Sequence, residues 1–327
     1  IDELEPPDEV LEPGDRVILK TNWALELIDS DPVNGEAPGA GWEHKITHPS
    51  LVEAVARWAA KQLNGNGTIT ICDAPRVDTP FARIDEVTGF SKILDRCIAD
   101  FPGVSFALED FRSKGGTLPE GDPAGTTHIA LGEASEFAGQ RLPKSIAGAG
   151  QHYQFYRTLM DADVVINLPK LKTHNKVGLT CARNNIISLL DDRSPLPIDE
   201  LAADEGADDL EEEDHSERMF SWLRRKFSGS RMLMRWLLRS RKALSDEEPP
   251  EQHESWHGND LFWRLVLDAN KCMTHFDGTG NRRQKPLRTL TFVDAIIAGD
   301  GNGPLPPDPK PCGLIIAGCP PVAVDCV

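Results

Sequence analysis

Residues 16–23, RVILKTNW, alternate apolar side chains and then stop at Lys20, Thr21 and Asn22, the pattern of a buried strand whose polar tip reaches a sheet edge. A helical stretch follows in HPSLVEAVARWAAKQL, with Thr47 expected as its N-cap, Pro49 in its first turn and apolar residues at Leu51, Val55, Trp58 and Ala59. GTITICDAP then reads as a second strand ending on Asp73. Such a strand, helix, strand unit closes by parallel pairing through a right-handed crossover, which constrains the chain to an α/β architecture.

The rest of the pattern agrees. FSKILDRCIADF, HYQFYRTLMDA and LFWRLVLDANKCMTHF read as helices, VSFALEDF and DVVINLP as strands, and LTFVDAII with CGLIIAGCPPVAVDCV supply late apolar runs without a closing helix. The expectation is a mostly parallel sheet flanked by helices, in two lobes with a cleft between them, plus a charged insertion. Residues 1–198 form the lobe with the Lys-Leu-Lys-Thr-His string, 199–255 the insertion, and 256–327 the remainder of the α/β core. Residues 199–215 are almost wholly acidic and small, whereas residues 218–242 carry nine basic side chains and no acid, interleaved with aromatic and aliphatic ones. That basic stretch suits an anionic membrane surface, a protein partner or its own acidic flanks.

The chain of 327 residues carries 35 Lys and Arg against 52 Asp and Glu, a formal charge of −17, which argues against nucleic-acid binding. Any anion site must be local. Seven cysteines occur without a C-x-x-C pair, and no run is apolar enough for a membrane span, so a soluble, cytoplasmic protein with reduced thiols is expected. Cys312, Cys319 and Cys326 are evenly spaced, but the spacing matches neither a zinc ribbon nor a ferredoxin cluster. Both chain ends read as cuts in a longer protein.

Open α/β sheets place ligands at strand ends and the loops that follow. Lys20 with Asn22, Asp73, and the cluster Lys170, Lys172 and His174 all sit at such tips and would face one cleft. In extended backbone, residues two apart point the same way, so these last three line one wall, and Pro169 favours that extended exit. Two ammonium groups on one wall repel unless an anion lies between them, which points to a carboxylate or phosphate ligand. The same spacing also fits lysines that reach solvent or pair with nearby acids. Gly178 leads into an expected helix capped by Thr180, whose free amides would meet the same anion. Asn184 and Asn185 stand ready to hydrogen-bond a ligand or to tie the loop down. Asp294, placed after a late strand, precedes a glycine loop with Gly301 and Gly303 that permits close backbone approach. Asp73, Asp294 and Asp300 could hold magnesium or calcium, and His48, His257 and His275 could form a zinc or nickel set only if the fold assembles them.

LKTNW, THPSLVEAVARW, VINLPKLKTHNKVGLTCARNN, VDAIIAGDGNGP and LIIAGCPPVAVD, in this order, resemble the domain-of-unknown-function 362 family. INLPKLKTH is the most specific of these strings. The resemblance implies an α/β protein, in a family some of whose members carry ferredoxin-type iron–sulfur modules. It places Lys20, Asn22, Pro49, Asn167, Lys170, Lys172, His174, Gly178, Thr180, Asn185, Asp294, Gly301, Gly303, Gly318 and Asp325 on motif positions. Where the family reads Thr-Gly-Ala-Leu-Lys-Asn-x-x-Gly, this chain has Cys181, Asn184 and Ser188 at the first glycine, the lysine and the last glycine. No cysteine-rich ferredoxin string is present in it.

The expected function is that of an enzyme binding an anionic small molecule, by acid–base chemistry or by redox chemistry with a bound cofactor. Lys170 and Lys172 would clamp the anion. His174, its pKa lowered by the adjacent cations, would act as base. The alternatives are an iron–sulfur-associated accessory or electron-transfer protein, and a membrane-surface adaptor acting through residues 218–242.

Overall fold

The computed structural model describes residues 10–24, 41–75, 81–111, 125–139, 152–174, 177–190, 262–301, 303–304 and 307–327. The expected insertion, including the basic stretch 218–242, lies outside them, as does His257.

β1 (Arg16–Lys20) is central because its Val17, Ile18 and Leu19 are all buried. It pairs in parallel with β2 (Gly67–Asp73) on one side and β6 (Val164–Asn167) on the other. Between β1 and β2 runs α1 (Pro49–Gln62), which buries Leu51, Val52, Val55, Ala56, Trp58 and Ala59. Its N-cap is His48, not Thr47: His48 Nδ1 accepts from Ser50 N at 3.2 Å. Thr47 instead bridges two strand tips, accepting from Asn22 N at 2.9 Å and donating to Leu168 O at 2.6 Å.

α2 (Phe81–Thr88) and α3 (Phe90–Asp100) lead into β3 (Val104–Asp110), parallel to β2. The segment HYQFYRTLMDA is not one helix. Its first half is β5 (Tyr153–Tyr156), antiparallel to β4 (Thr126–Ile129), and only α4 (Arg157–Met160) is helical. The reason is burial on both faces: all four β5 side chains are enclosed, which a strand of a small sheet satisfies and a one-faced helix does not.

Next come β7 (Lys170–His174) and β8 (Gly178–Thr180), an antiparallel pair, then α5 (Phe262–His275), β9 (Arg288–Asp300), β10 (Asp308–Gly318) and the short α6 (Pro321–Asp325). α6 is a closing helix that the Pro-rich tail concealed. The eight-stranded sheet runs β3-β2-β1-β6-β9-β7-β8, with β10 paired to β9. Strands from both ends of the chain thus share one sheet, and the polar tips converge within it.

Alternation sends Val17, Leu19, Ile69, Ile71 and Ile166 to a core under α1 and α3. Ile18, Cys72 and Val165 face the opposite core, with α5 and β5. Both faces are therefore covered, as expected for a parallel sheet. Among the described residues no helix is long and apolar enough to cross a membrane.

Candidate functional site: a cluster of buried lysines

β1, β2 and β6 end side by side, with Lys20 paired to both Cys72 and Asn167. Asn22, Asp73 and Asn185 gather at this edge. On β7 the burial alternates, with Lys170, Lys172 and His174 inside, so the extended geometry that puts them on one face is present. Lys20 and Lys170 have no solvent exposure and Lys172 has 1%.

Three amines enter this interior and two carboxylates meet them. Lys20 Nζ lies 2.9 Å from Asp73 Oδ1 and also donates to Asn185 Oδ1 at 3.3 Å and to Thr21 O. Its three N–H groups are all used, which leaves none for a ligand. Lys170 Nζ lies 2.7 Å from Asp294 Oδ2 and donates to Ile297 O at 3.1 Å. Among the described residues Lys172 has no carboxylate partner. Its Nζ donates to Asn22 Oδ1 and to Lys45 O, each at 3.1 Å, and both acceptors are neutral. Burial, with Lys170 and then Lys20 and Lys45 adding repulsion against the attraction of Asp73, pushes the Lys172 amine down to about 7. Burial also lowers Lys170, against the opposing pull of Asp294.

The two carboxylates are committed. Asp73 accepts from Lys20, Trp23 N (2.7 Å), Ala74 N (2.8 Å) and Ser188 Oγ (2.7 Å). Ser188 stands where the family pattern has glycine, so this departure adds a donor. Asp294 accepts from Lys170, His48 N at 2.6 Å and Ile296 N at 3.1 Å. Asp300 is elsewhere, on the exposed side, paired with Lys310 at 2.5 Å. The three aspartates therefore do not form one cation site. Among the described residues no three His, Cys, Asp or Glu side chains are grouped to hold a metal. The seven cysteines are all free, four of them buried.

Several expected positions have other partners. Asn185 Nδ2 donates to Asn167 Oδ1 (2.8 Å) and Thr21 O (3.3 Å), while its Oδ1 accepts from Asn22 Nδ2 (2.8 Å) and Lys20. Asn185 is a saturated hub that locks the tips of β1 and β6 together. Gly178 and Thr180 are not a helix start: they belong to β8, opposite His174 and Lys172, and the next element is a six-residue 3-10 helix, Asn184–Leu189. The β7 hairpin supplies strand partners that out-compete a helical turn. Asn184 Nδ2 donates back to Thr180 Oγ1 at 3.3 Å.

Asp294 lies inside β9, not after it. Gly301 and Gly303 pack against Thr173, whose Oγ1 donates to Gly301 O at 2.8 Å and accepts from Gly303 N at 3.1 Å. Thr173 alternates with Lys172, so these glycines support the back of β7. His174 stacks on Phe262, with ring centroids 5.3 Å apart. His48 instead borders the cluster, through its backbone contact to Asp294, and stacks on Trp42 with centroids 5.8 Å apart.

Gly299, Lys45 and Thr47 were not singled out as site residues. Gly299 lies opposite Lys172 in β9, where a large bulge sets Asp294 against Lys170 and Gly299 against Lys172. Lys45 contributes a backbone carbonyl, which no side-chain pattern announces. Asp325 accepts from Ala182 N (2.7 Å), Arg183 N (3.2 Å) and Arg183 Nε (2.9 Å), tying α6 to the segment before the 3-10 helix.

Residues 122–327 match the family described as a domain of unknown function, DUF362. The chain belongs to the DUF362 family. A thylakoid-associated protein, sll1697, from Synechocystis sp. is 23% identical over 308 residues, covering 94% of this chain. This DUF362 chain spans 60% of that relative's length. A crystal structure of a Thermotoga maritima protein aligns with 97% of this chain and 52% of its own, with a TM-score of 0.37 and 9% identity.

Proposed function

We propose that this DUF362 chain is an enzyme whose substrate carries a carboxylate or phosphate, and that the anion docks on Lys172. The supporting observation is the charge count. Among the described residues three strand lysines face two carboxylates, and Lys172 is the strand amine without one; the buried Lys45 adds a further positive charge acting on Lys172 and Glu43 a negative one acting on Lys170, so the set keeps an excess of one positive charge. One ligand anion would complete the set at the third N–H of Lys172. The anchor is therefore Lys172 rather than a clamp of two equal lysines, with Lys170 tied to Asp294 and able to offer one remaining N–H. A Lys172 amine near neutrality also suits proton transfer to or from the bound molecule. Seven free cysteines support a reducing compartment such as the cytoplasm.

Anion binding and proton uptake are then linked. Sulfate and acetate, whose own charge is constant across the range, are titrated calorimetrically at constant ionic strength. Affinity should fall about tenfold or more from about pH 6 to about pH 8.5, and Lys172→Met should abolish the binding. Equal affinity in Lys172→Met, or no pH dependence, sinks this reading.

A second reading concerns attachment. The relative's name as thylakoid-associated accords with the nine basic residues of 218–242 acting as a contact for an anionic membrane surface. Co-sedimentation with anionic liposomes, unchanged when 218–242 is deleted, would rule it out.

A further inference from the structure

We infer that Lys172 is also a covalent nucleophile, forming an imine with a small carbonyl compound that carries one carboxylate, as in the 2-oxo acids. The carboxylate half rests on the anion reading above; the imine half rests on the arrangement of the amines.

Lys20 and Lys170 cannot lose a proton without breaking a buried ion pair, at 2.9 Å and 2.7 Å respectively. Lys172 can, because it donates only to neutral oxygens. Deprotonating it leaves the Lys20–Asp73 and Lys170–Asp294 pairs intact, whereas deprotonating either neighbour strands a buried carboxylate. The lone pair needed for attack is thus assigned to one of the three amines by its partners. Burial and neighbouring cations favour the same neutral form, the arrangement that activates lysine nucleophiles generally. The stem is held as well: Gly299 leaves room for it where any Cβ would meet Lys172 Cγ at 2.8 Å. Lys170 repels the Lys172 ammonium directly and has a third N–H that no described residue uses, so a carboxylate next to the reacting carbon would find a donor there.

The step balances without an oxidant or reductant. The Lys172 Nζ lone pair attacks the carbonyl carbon and a C–N bond forms. The two amine protons then leave with the carbonyl oxygen as water, giving C=N. An amine of 1% exposure is closed to bulky amine reagents, which should spare Lys172, and its reactant has to be small.

The test incubates the full chain with pyruvate and sodium cyanoborohydride, which reduces an imine to a stable secondary amine, and maps the adduct by peptide mass spectrometry. The expected result is one adduct per chain at Lys172, about tenfold above any other lysine, increasing from about pH 6 to about pH 8 and suppressed by sulfate more strongly at about pH 6 than at about pH 8. Propanal, a carbonyl without a carboxylate, should label Lys172 more weakly. Labelling spread over surface lysines, with Lys172 no higher than the rest, overturns the imine whether or not sulfate binds. Strong labelling of Lys172 equally by pyruvate and propanal, unaffected by sulfate, keeps the imine and removes the anion site. Lys172→Arg and Lys172→Met should both lose the adduct, and mapping on the unaltered chain decides the matter even if both fail to fold.

Discussion

Gly299 and Lys172 face each other across the β7–β9 pairing so closely that a Cβ on Gly299 would lie 2.8 Å from Lys172 Cγ and 2.7 Å from Pro307 Cβ. One of these neighbours is a rigid proline ring and the other a fully enclosed side chain, so neither can give way easily. Gly299→Ala should therefore destabilise the protein by about 1–3 kcal/mol, the cost of overpacking a closed interior. Urea denaturation with an unchanged m-value checks it, and a loss below a few tenths of a kcal/mol contradicts the close approach.

The pair Lys170–Asp294 predicts strong non-additivity. Asp294→Asn keeps the shape and most hydrogen bonds but strands a buried ammonium, and should cost about 3–5 kcal/mol. Adding Lys170→Met removes the stranded charge and should recover most of that loss. A double-mutant cycle that gives no coupling would show that the two groups do not share their charge.

Lys172 makes stability depend on pH with a definite sign. Its folded pKa of about 7 lies below the ordinary lysine value near 10.4, so between these values the unfolded chain binds a proton that the folded one does not. Stability from this group therefore increases with pH across that window, by at most about 1.4 kcal/mol per unit, and the gain is lost as pH falls through about 7. Lys172→Met should flatten the slope measured between about pH 7 and about pH 9.5 by up to that amount. An identical slope in the variant would place the Lys172 amine in solvent.

The strands were legible wherever an apolar run ended on a polar tip: RVILKTNW, GTITICDAP and DVVINLP are β1, β2 and β6, and Lys20, Asp73 and Asn167 close them. The shared inner face of Lys170, Lys172 and His174 was legible too, because extended backbone has a period of two. Which amine would lack a carboxylate was not. That depends on β9 slipping between β6 and β7 with a bulge, and on a carbonyl of Lys45, long-range facts that local spacing does not encode. Thr180 and Thr47 have the composition of helix caps, yet tertiary partners claimed both: a β-hairpin in the first case, the Asn22 and Leu168 backbone in the second. Asn185 is polar and well placed in the sequence, but its saturation by four partners emerges only when the ends of β1 and β6 meet.

The insertion of β9 into the middle of the sheet sets an order of assembly. Lys170 finds its acceptor Ile297 O at a separation of 127 residues, so on a ribosome β6 and β7 emerge well before the strand that neutralises and encloses them. Until that strand arrives, Lys170 and Lys172 must remain hydrated, and the nascent sheet must keep a gap open beside β6. The lysine interior is consequently one of the last parts of the molecule to lose its water, and a chain stalled before β9 would present it as an ordinary wet surface.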